Sequence, residues 1–284
     1  MTTTVSMFMV ARTIVVVMMA WLIAAPPVMA QPTGEANNEN TGLKETLQQQ
    51  SLDPTSNLKQ FQIQNRFIPS TFGADGYTNI LTNSIVYPIP ASRALPRQLW
   101  RADFPIVTAP GGLTGLSDIR LLGFGISGTR NVGNSGWWRY GLGPVFVFPT
   151  ETEDRLGSGK WQIGPTVAAI LGARKWQLAI IIQNPISFAG KSNHPDVNRL
   201  IWQPIAVYFL EEGWYLGLQG TPKSVNWEND VALTFPVSAR IGKVFKLRKR
   251  YINLFVEPEY TAVHEEEPVP EWSIQLGFNF LFPL

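Results

Sequence analysis

No cysteine occurs among the 284 residues, and only two histidines do, His194 and His264. Without thiols there is no disulfide framework, no thiolate nucleophile and no zinc–thiolate site. Two histidines exclude a histidine-rich metal site by number alone. His264, beside Glu265, Glu266 and Glu267, reads as a solvated acidic loop. Neither histidine lies within a strand-like run next to a serine, so a lipase-type nucleophile has no activating base. Charge is scarce too, at 15% of residues against roughly 25% in ordinary soluble domains. A net charge of +2 gives no attraction for nucleic acid or another polyanion. Beyond residue 30 no apolar run reaches the ~18 residues of a membrane-spanning helix. Enzyme activity and cofactors are therefore not expected.

What is present is aromatic weight, 12% of the chain, and alternation. The C-terminal stretch "WSIQLGFNFLFPL" places Trp272, Ile274, Leu276, Phe278, Phe280, Phe282 and Leu284 on every second position. Ser273, Gln275, Gly277 and Asn279 fall between them. A period of two is that of a β-strand, whose successive side chains point to opposite faces. The run is longer than the usual ~5–6 residues of a soluble sandwich strand and near the ~9–11 of a bilayer-crossing one.

The first thirty residues read as a secretory leader. Arg12 is the only charge before position 30, and it precedes the apolar run "TIVVVMMAWLIAA" and the small residues Val28 and Ala30. That order of charged, apolar and small segments is a cleavable signal. Cleavage is expected after Ala30, so N-terminal sequencing of outer-membrane fractions should begin at Gln31; an intact Met1 or Thr2 would refute it. Residues 31–57 are polar and rich in Asn and Gln, and read as a mobile lead-in with one helical turn around Leu43–Leu52. From residue 58 to 284 about twelve strand-like runs follow, bounded by Gly, Pro, Asn and Asp. An even count suits a bacterial single-chain barrel, as does an alternation of short and long connections. "GAR" (172–174) and "EEG" (211–213) fall on the short side, and 150–159 and 187–198 on the long side. The second and fourth connections break the pattern.

Alternation also sorts the faces. Phe61, Ile63 and Phe67 oppose Gln60, Gln62, Gln64 and Arg66; Trp100, Phe104 and Ile106 oppose Arg101 and Asp103; Leu178, Ile180 and Ile182 oppose Gln177 and Gln183. Val237 and Ile241 oppose Ser238 and Arg240, and Leu254 and Val256 oppose Asn253 and Glu257. A sandwich would bury the apolar face between sheets, whereas a barrel turns it to lipid. The tryptophans decide. Trp100, Trp137, Trp138, Trp161, Trp176, Trp202, Trp214, Trp227 and Trp272 mostly sit near strand ends, where an amphipathic ring prefers the headgroup level. The predicted fold is all-β, an antiparallel transmembrane barrel of about 12 strands. On that parity Arg should be costly at Leu254 or Val237 and tolerated at Asn253 or Ser238.

Two glycine motifs carry no nucleotide chemistry. "GFGISG" (123–128) matches G-x-G-x-x-G, but "TRNVGNSGWW" after it cannot form the helix that pattern needs. "GSGK" (157–160) lacks the upstream glycine of a phosphate loop, since position 154 is Asp. The inward charges are the candidate functional set: Arg66, Arg101, Asp103, Arg139, Arg240, Glu257 and Glu259. They form either an ion-pair network filling a narrow barrel or a polar constriction that selects what passes. Arg240 is the nearest partner in prospect for the two glutamates, with Arg66 in reach if the first strand closes on the last.

With these residues laid out, the chain resembles the phenol-degradation meta-pathway-like family of Gram-negative outer-membrane transporters. The resemblance rests on "GLSDIRL" (115–121), "YGLGPVFVFPTETEDRLGSGKWQIGPT" (140–166), "SFAGKSNHPDVNRLIWQP" (187–204), "GKVFKL" (242–247) and "PEWSIQLGFNFLFP" (270–283). It implies a channel for passive uptake of small hydrophobic or aromatic compounds, with outer-membrane lipid, the barrel assembly machinery and a small-molecule solute as partners. It supplies no catalytic residues. Leu284 departs from the family's usual lysine after the final proline, and from the terminal aromatic that favours insertion. The rival class is a non-transporting barrel that serves the envelope through its loops.

Overall fold

In the computed structural model, residues 46–282 are described apart from 134, 220–221, 227–231, 249 and 266. The expected leader, its cut at Ala30, Trp227 and Leu284 lie outside the described residues.

Twelve antiparallel staves close into a barrel. They are β1 (Lys59–Phe72), β2 (Thr78–Ile89), β3 (Gln98–Thr108) and β4 (Thr114–Leu116, Ile119–Ile126 and Arg130–Val132). There follow β5 (Gly136–Phe148), β6 (Lys160–Ala173), β7 (Trp176–Gln183 and Ile186–Gly190) and β8 (Arg199–Phe209). The last are β9 (Trp214–Leu218 and Lys223–Asn226), β10 (Ala232–Ser238 and Arg240–Leu247), β11 (Arg250–His264) and β12 (Val269–Phe282). Neighbours in sequence pair throughout, and β12 pairs back onto β1 from Lys59↔Phe282 to Phe72↔Val269. The alternating C-terminal run is thus the closing stave, held between β1 and β11. Closure leaves no unpaired edge, which is the condition for a sheet to cross lipid.

The connections resolve one irregularity of the sequence reading and keep the other. β4 runs on to Val132, so the fourth connection shrinks to residues 133–135. The second, 90–97, stays long although it lies on the rim that carries the chain ends. The loops at 149–159 and 191–198 extend the opposite rim.

Exposure inverts the pattern of a soluble protein. Val237 and Leu276 are 50% and 54% exposed on the outside, while Asn253, Glu257 and Ser273 are 0%, 1% and 1% exposed within. Trp100, Trp138, Trp176 and Trp214 stand near the rim of the chain ends, and Trp161, Trp202 and Trp272 near the other. These are the two aromatic girdles of a membrane barrel. Trp137 departs from that scheme: it is buried inside, with the Arg139 guanidinium 4.5 Å above its ring. The "GFGISG" run lies in β4 and leads into more strand, and a Cβ at Gly123 would meet the Trp100 ring at 2.7 Å. Glycine there makes room for an outward-facing indole.

The lead-in keeps its expected helical turn but departs from the expected mobility. Residues 47–52 form α1 (Leu47–Leu52), and 46–58 pack inside the barrel at the rim of the chain ends. Thr46 and Gln49 close a capping box: the Gln49 N–H donates to Thr46 Oγ1 at 3.2 Å and the Thr46 N–H to Gln49 Oε1 at 2.9 Å. Leu52 and Leu58 join an inner apolar cluster with Val207, Phe209, Tyr215 and Phe255. Each such leucine is worth about 1.5–3 kcal/mol of burial. Composition called the segment polar and mobile; Leu52, Leu58 and the cap help to seat its end.

Candidate functional site: the barrel lumen

Because a strand alternates its faces, the staves fix which side chains reach the lumen. Inward from β1 come Gln60, Gln62, Gln64 and Arg66; from β3, Leu99, Arg101 and Asp103; from β4, Arg120, Leu122 and Phe124. All seven charged residues expected inside are there, but they do not form one ring. They separate into four clusters.

Glu257 sits between Arg240 and Ser238. Arg240 Nε donates to Glu257 Oε2 at 2.7 Å, and Ser238 Oγ to Oε1 at 2.7 Å. The backbone N–H of Gln219 also donates to that oxygen, at 3.1 Å. The Arg240 guanidinium lies 3.6 Å over the Phe255 ring. Glu259 pairs with Arg66, whose Nε donates to Ser273 Oγ at 2.9 Å. Both pairings follow from the closed strand order. The glutamates are 1% and 7% exposed, so they line no open passage.

Arg139 is the third cluster, and its partner lies in the lead-in. It pairs with Asp53, and its Nε donates to Thr55 Oγ1 at 2.7 Å. Sequence reasoning missed Asp53 because it read 31–57 as a mobile lead-in with no more than a helical turn around Leu43–Leu52. The fourth cluster joins Arg101 and Asp103 to Arg120, which sequence reasoning also missed. Arg101 Nε donates to Asp103 Oδ1 at 2.7 Å and Arg120 Nη2 to Oδ2 at 2.9 Å, with Ser84 Oγ adding a third bond at 2.6 Å. The parity of β4 would have turned Arg120 inward with Leu122 and Phe124, had its apolar inner face not masked the alternation.

A cavity of about 290 Å³ lies within the lumen. Its lining is mixed: Val86, Leu99, Leu122, Phe124, Ile181 and Ile205 are apolar, and glutamines and arginines stand beside them on the same staves. Residues 51–54 form part of its wall, so the lead-in narrows the lumen at one end.

The opposite rim is tied by charge. Lys191 Nζ donates to Asp154 Oδ1 at 2.6 Å and also reaches Glu151, which links the loops 149–159 and 191–198. Burial works against the Glu151 carboxylate, but the Lys191 ammonium outweighs it and holds the pKa below the ordinary glutamate range. Asp118, which accepts from Ser158 Oγ at 2.6 Å, has its pKa raised by burial and by Glu151 beside it.

No protein-family model matches the sequence, and no curated protein does either. Solved structures do. The COG4313 outer membrane channel from Pseudomonas putida F1 superposes with a TM-score of 0.54 at 13% identity, over 79% of this chain and 94% of that one. The NanC porin gives a TM-score of 0.48 at 11% identity, over 80% of this chain and 100% of that one. At these identities the likeness is one of fold.

Proposed function

We propose that the chain is an outer-membrane channel for passive passage of small solutes, with hydrophobic or aromatic compounds as its class. The observation that carries this is the internal cavity lined by both apolar and hydrogen-bonding side chains, inside a barrel whose exterior suits lipid. The outer-membrane channel from Pseudomonas putida F1 shares the fold, and the resemblance to the phenol-degradation meta-pathway-like family points to the aromatic class. Barrels of ~8 strands are filled by side chains and those of ~16 leave open water, so twelve staves fit a narrow passage.

Of the inward charges, Arg66, Arg101, Asp103, Arg120 and Arg240 line the cavity and act here as the polar frame of that passage. Liposome swelling tests the reading. Vesicles carrying the protein should admit phenylalanine faster than a sugar of similar size, and equal, near-zero rates for both would sink it. A second reading, a barrel without transport, is favoured by α1 and residues 53–58, which occupy one end of the lumen.

The buried pairs give a separate expectation. Glu257→Gln with Glu259→Gln removes the carboxylates facing Arg240 and Arg66, so the lumen gains positive character. The reversal potential in a planar bilayer under a KCl gradient should shift toward anions. An unchanged potential would mean that these pairs lie off the conducting path.

A further inference from the structure

Asp103 is the one inward carboxylate among the described ion pairs that serves two guanidinium groups, Arg101 and Arg120. It is itself enclosed: its side chain is 4% exposed, and Ser84 Oγ supplies one more donor. The two arginines are not enclosed. Each side chain is 33% exposed, and both line the 290 Å³ cavity. Two positive groups on one negative group leave the cluster with a net positive charge on the cavity wall. Asp103 engages Nε of Arg101 and both Nε and Nη2 of Arg120, which leaves Nη1–H donors on each arginine without a protein acceptor among the described bonds.

We infer that the cavity is a binding site for small aromatic carboxylates, with Arg101 and Arg120 receiving the carboxylate and the neighbouring apolar side chains receiving the ring. This rests on the channel reading for its purpose and narrows it to an anionic class. The chemistry fits part by part. A guanidinium meets a carboxylate through paired N–H bonds, which are charge-assisted and directional. Beside it, Leu122 and Phe124 on the same stave as Arg120, with Ile181 from β7, offer the apolar surface a planar ring needs. The volume is near the ~300 Å³ lower limit of ligand pockets, which suits one ring with one acid group and excludes bulky guests. A cation of the same shape would meet the arginines with like charge.

Benzoate, benzyl alcohol and benzylamine separate the possibilities, since they share a ring and differ in charge. Isothermal titration into the detergent-solubilised full-length barrel should show benzoate binding well above benzyl alcohol, and benzylamine not at all. Arg120→Gln, which leaves Arg101 on Asp103, should weaken benzoate about tenfold, as expected for losing one bond to a charged group. Arg101→Gln should do the same from the other side and serves if the first variant folds poorly. Arg120→Lys keeps the charge without the fork and should fall between. Equal binding of benzylamine, or benzoate affinity unmoved in both Gln variants, would overturn the site; so would no heat with benzoate. Titration does not require conduction, so a barrel that binds benzoate yet fails the swelling assay refutes passage and leaves the site standing.

Discussion

Leu276→Arg is expected to destabilise the folded barrel by about 2–4 kcal/mol, the cost of an arginine facing lipid at mid-membrane. Leu276 lies midway along β12, points outward and is 54% exposed, on a face shared with Ile274 and Phe278. Arginine at Leu254 or Val237, on the same exterior, should cost less the nearer each lies to a girdle. The inward comparison needs a change of position. Parity alone nominates Asn253 and Ser238 as tolerant, but Asn253 accepts from the Tyr215 hydroxyl at 2.8 Å and Ser238 donates to buried Glu257. Neither has room for arginine. Thr82 is inward, half-buried and on the cavity wall, so Thr82→Arg keeps its guanidinium in the polar lumen and should cost clearly less than Leu276→Arg. Urea unfolding in lipid vesicles reads both. Equal losses at Leu276 and Thr82 would mean that the in/out assignment, or the barrel itself, is wrong.

The reason parity succeeds for the exterior and fails for Asn253 lies in what alternation encodes. A period of two states which face a side chain takes, and β1, β3, β7, β10, β11 and β12 all keep the faces their sequences announce. It says nothing of depth, or of what stands across the lumen. Phe255 and Tyr215 point inward as surely as Glu257 does, and they fill the space beside Asn253. Gly277 and Gly242 exist on this wall to admit them, since a Cβ at either would come within 2.0–2.3 Å of the Phe255 or Tyr215 ring. The sequence shows inward glycine; only the closed barrel shows which ring each one faces. Trp137 is the same lesson in reverse, a strand-end tryptophan whose parity turns it inward under Arg139.

The candidate site was legible residue by residue and not as an assembly. Strand order paired Arg240 and Arg66 with the glutamates because β10, β11, β12 and β1 are neighbours in a closed sheet. It could not find Asp53, because that contact spans 86 residues and leaves the sheet altogether. Low hydrophobicity in 31–57 argues against an independent fold, but a barrel already supplies the apolar surface and the buried arginine. The segment had only to contribute a carboxylate and two leucines.

Asp53→Ala tests that dependence and should have the largest effect of any single substitution in the lead-in. The Asp53 side chain is fully enclosed and Arg139 only 8% exposed. Removing one partner of a buried pair costs about 3–5 kcal/mol, because the other is left in low dielectric without its counter-charge. Arg139 also has Thr55 Oγ1 at 2.7 Å and Thr129 Oγ1 at 3.1 Å, but neither is charged. Thr55 is held by Asp53 itself, whose Oδ1 accepts from its hydroxyl at 2.6 Å and its N–H at 2.7 Å. One truncation therefore removes the carboxylate and loosens Thr55, the two lead-in contacts described for Arg139. The twelve staves do not depend on it, since their pairing is backbone to backbone. The cost should fall on the seating of residues 46–58, and single-channel conductance should rise as that end of the lumen clears. Arg139→Met, similar in length and uncharged, should restore part of the seating in the Asp53→Ala background, since no charge is then left buried. Conductance in Asp53→Ala equal to the parent, with the barrel folded, would mean that the lead-in does not restrict the passage.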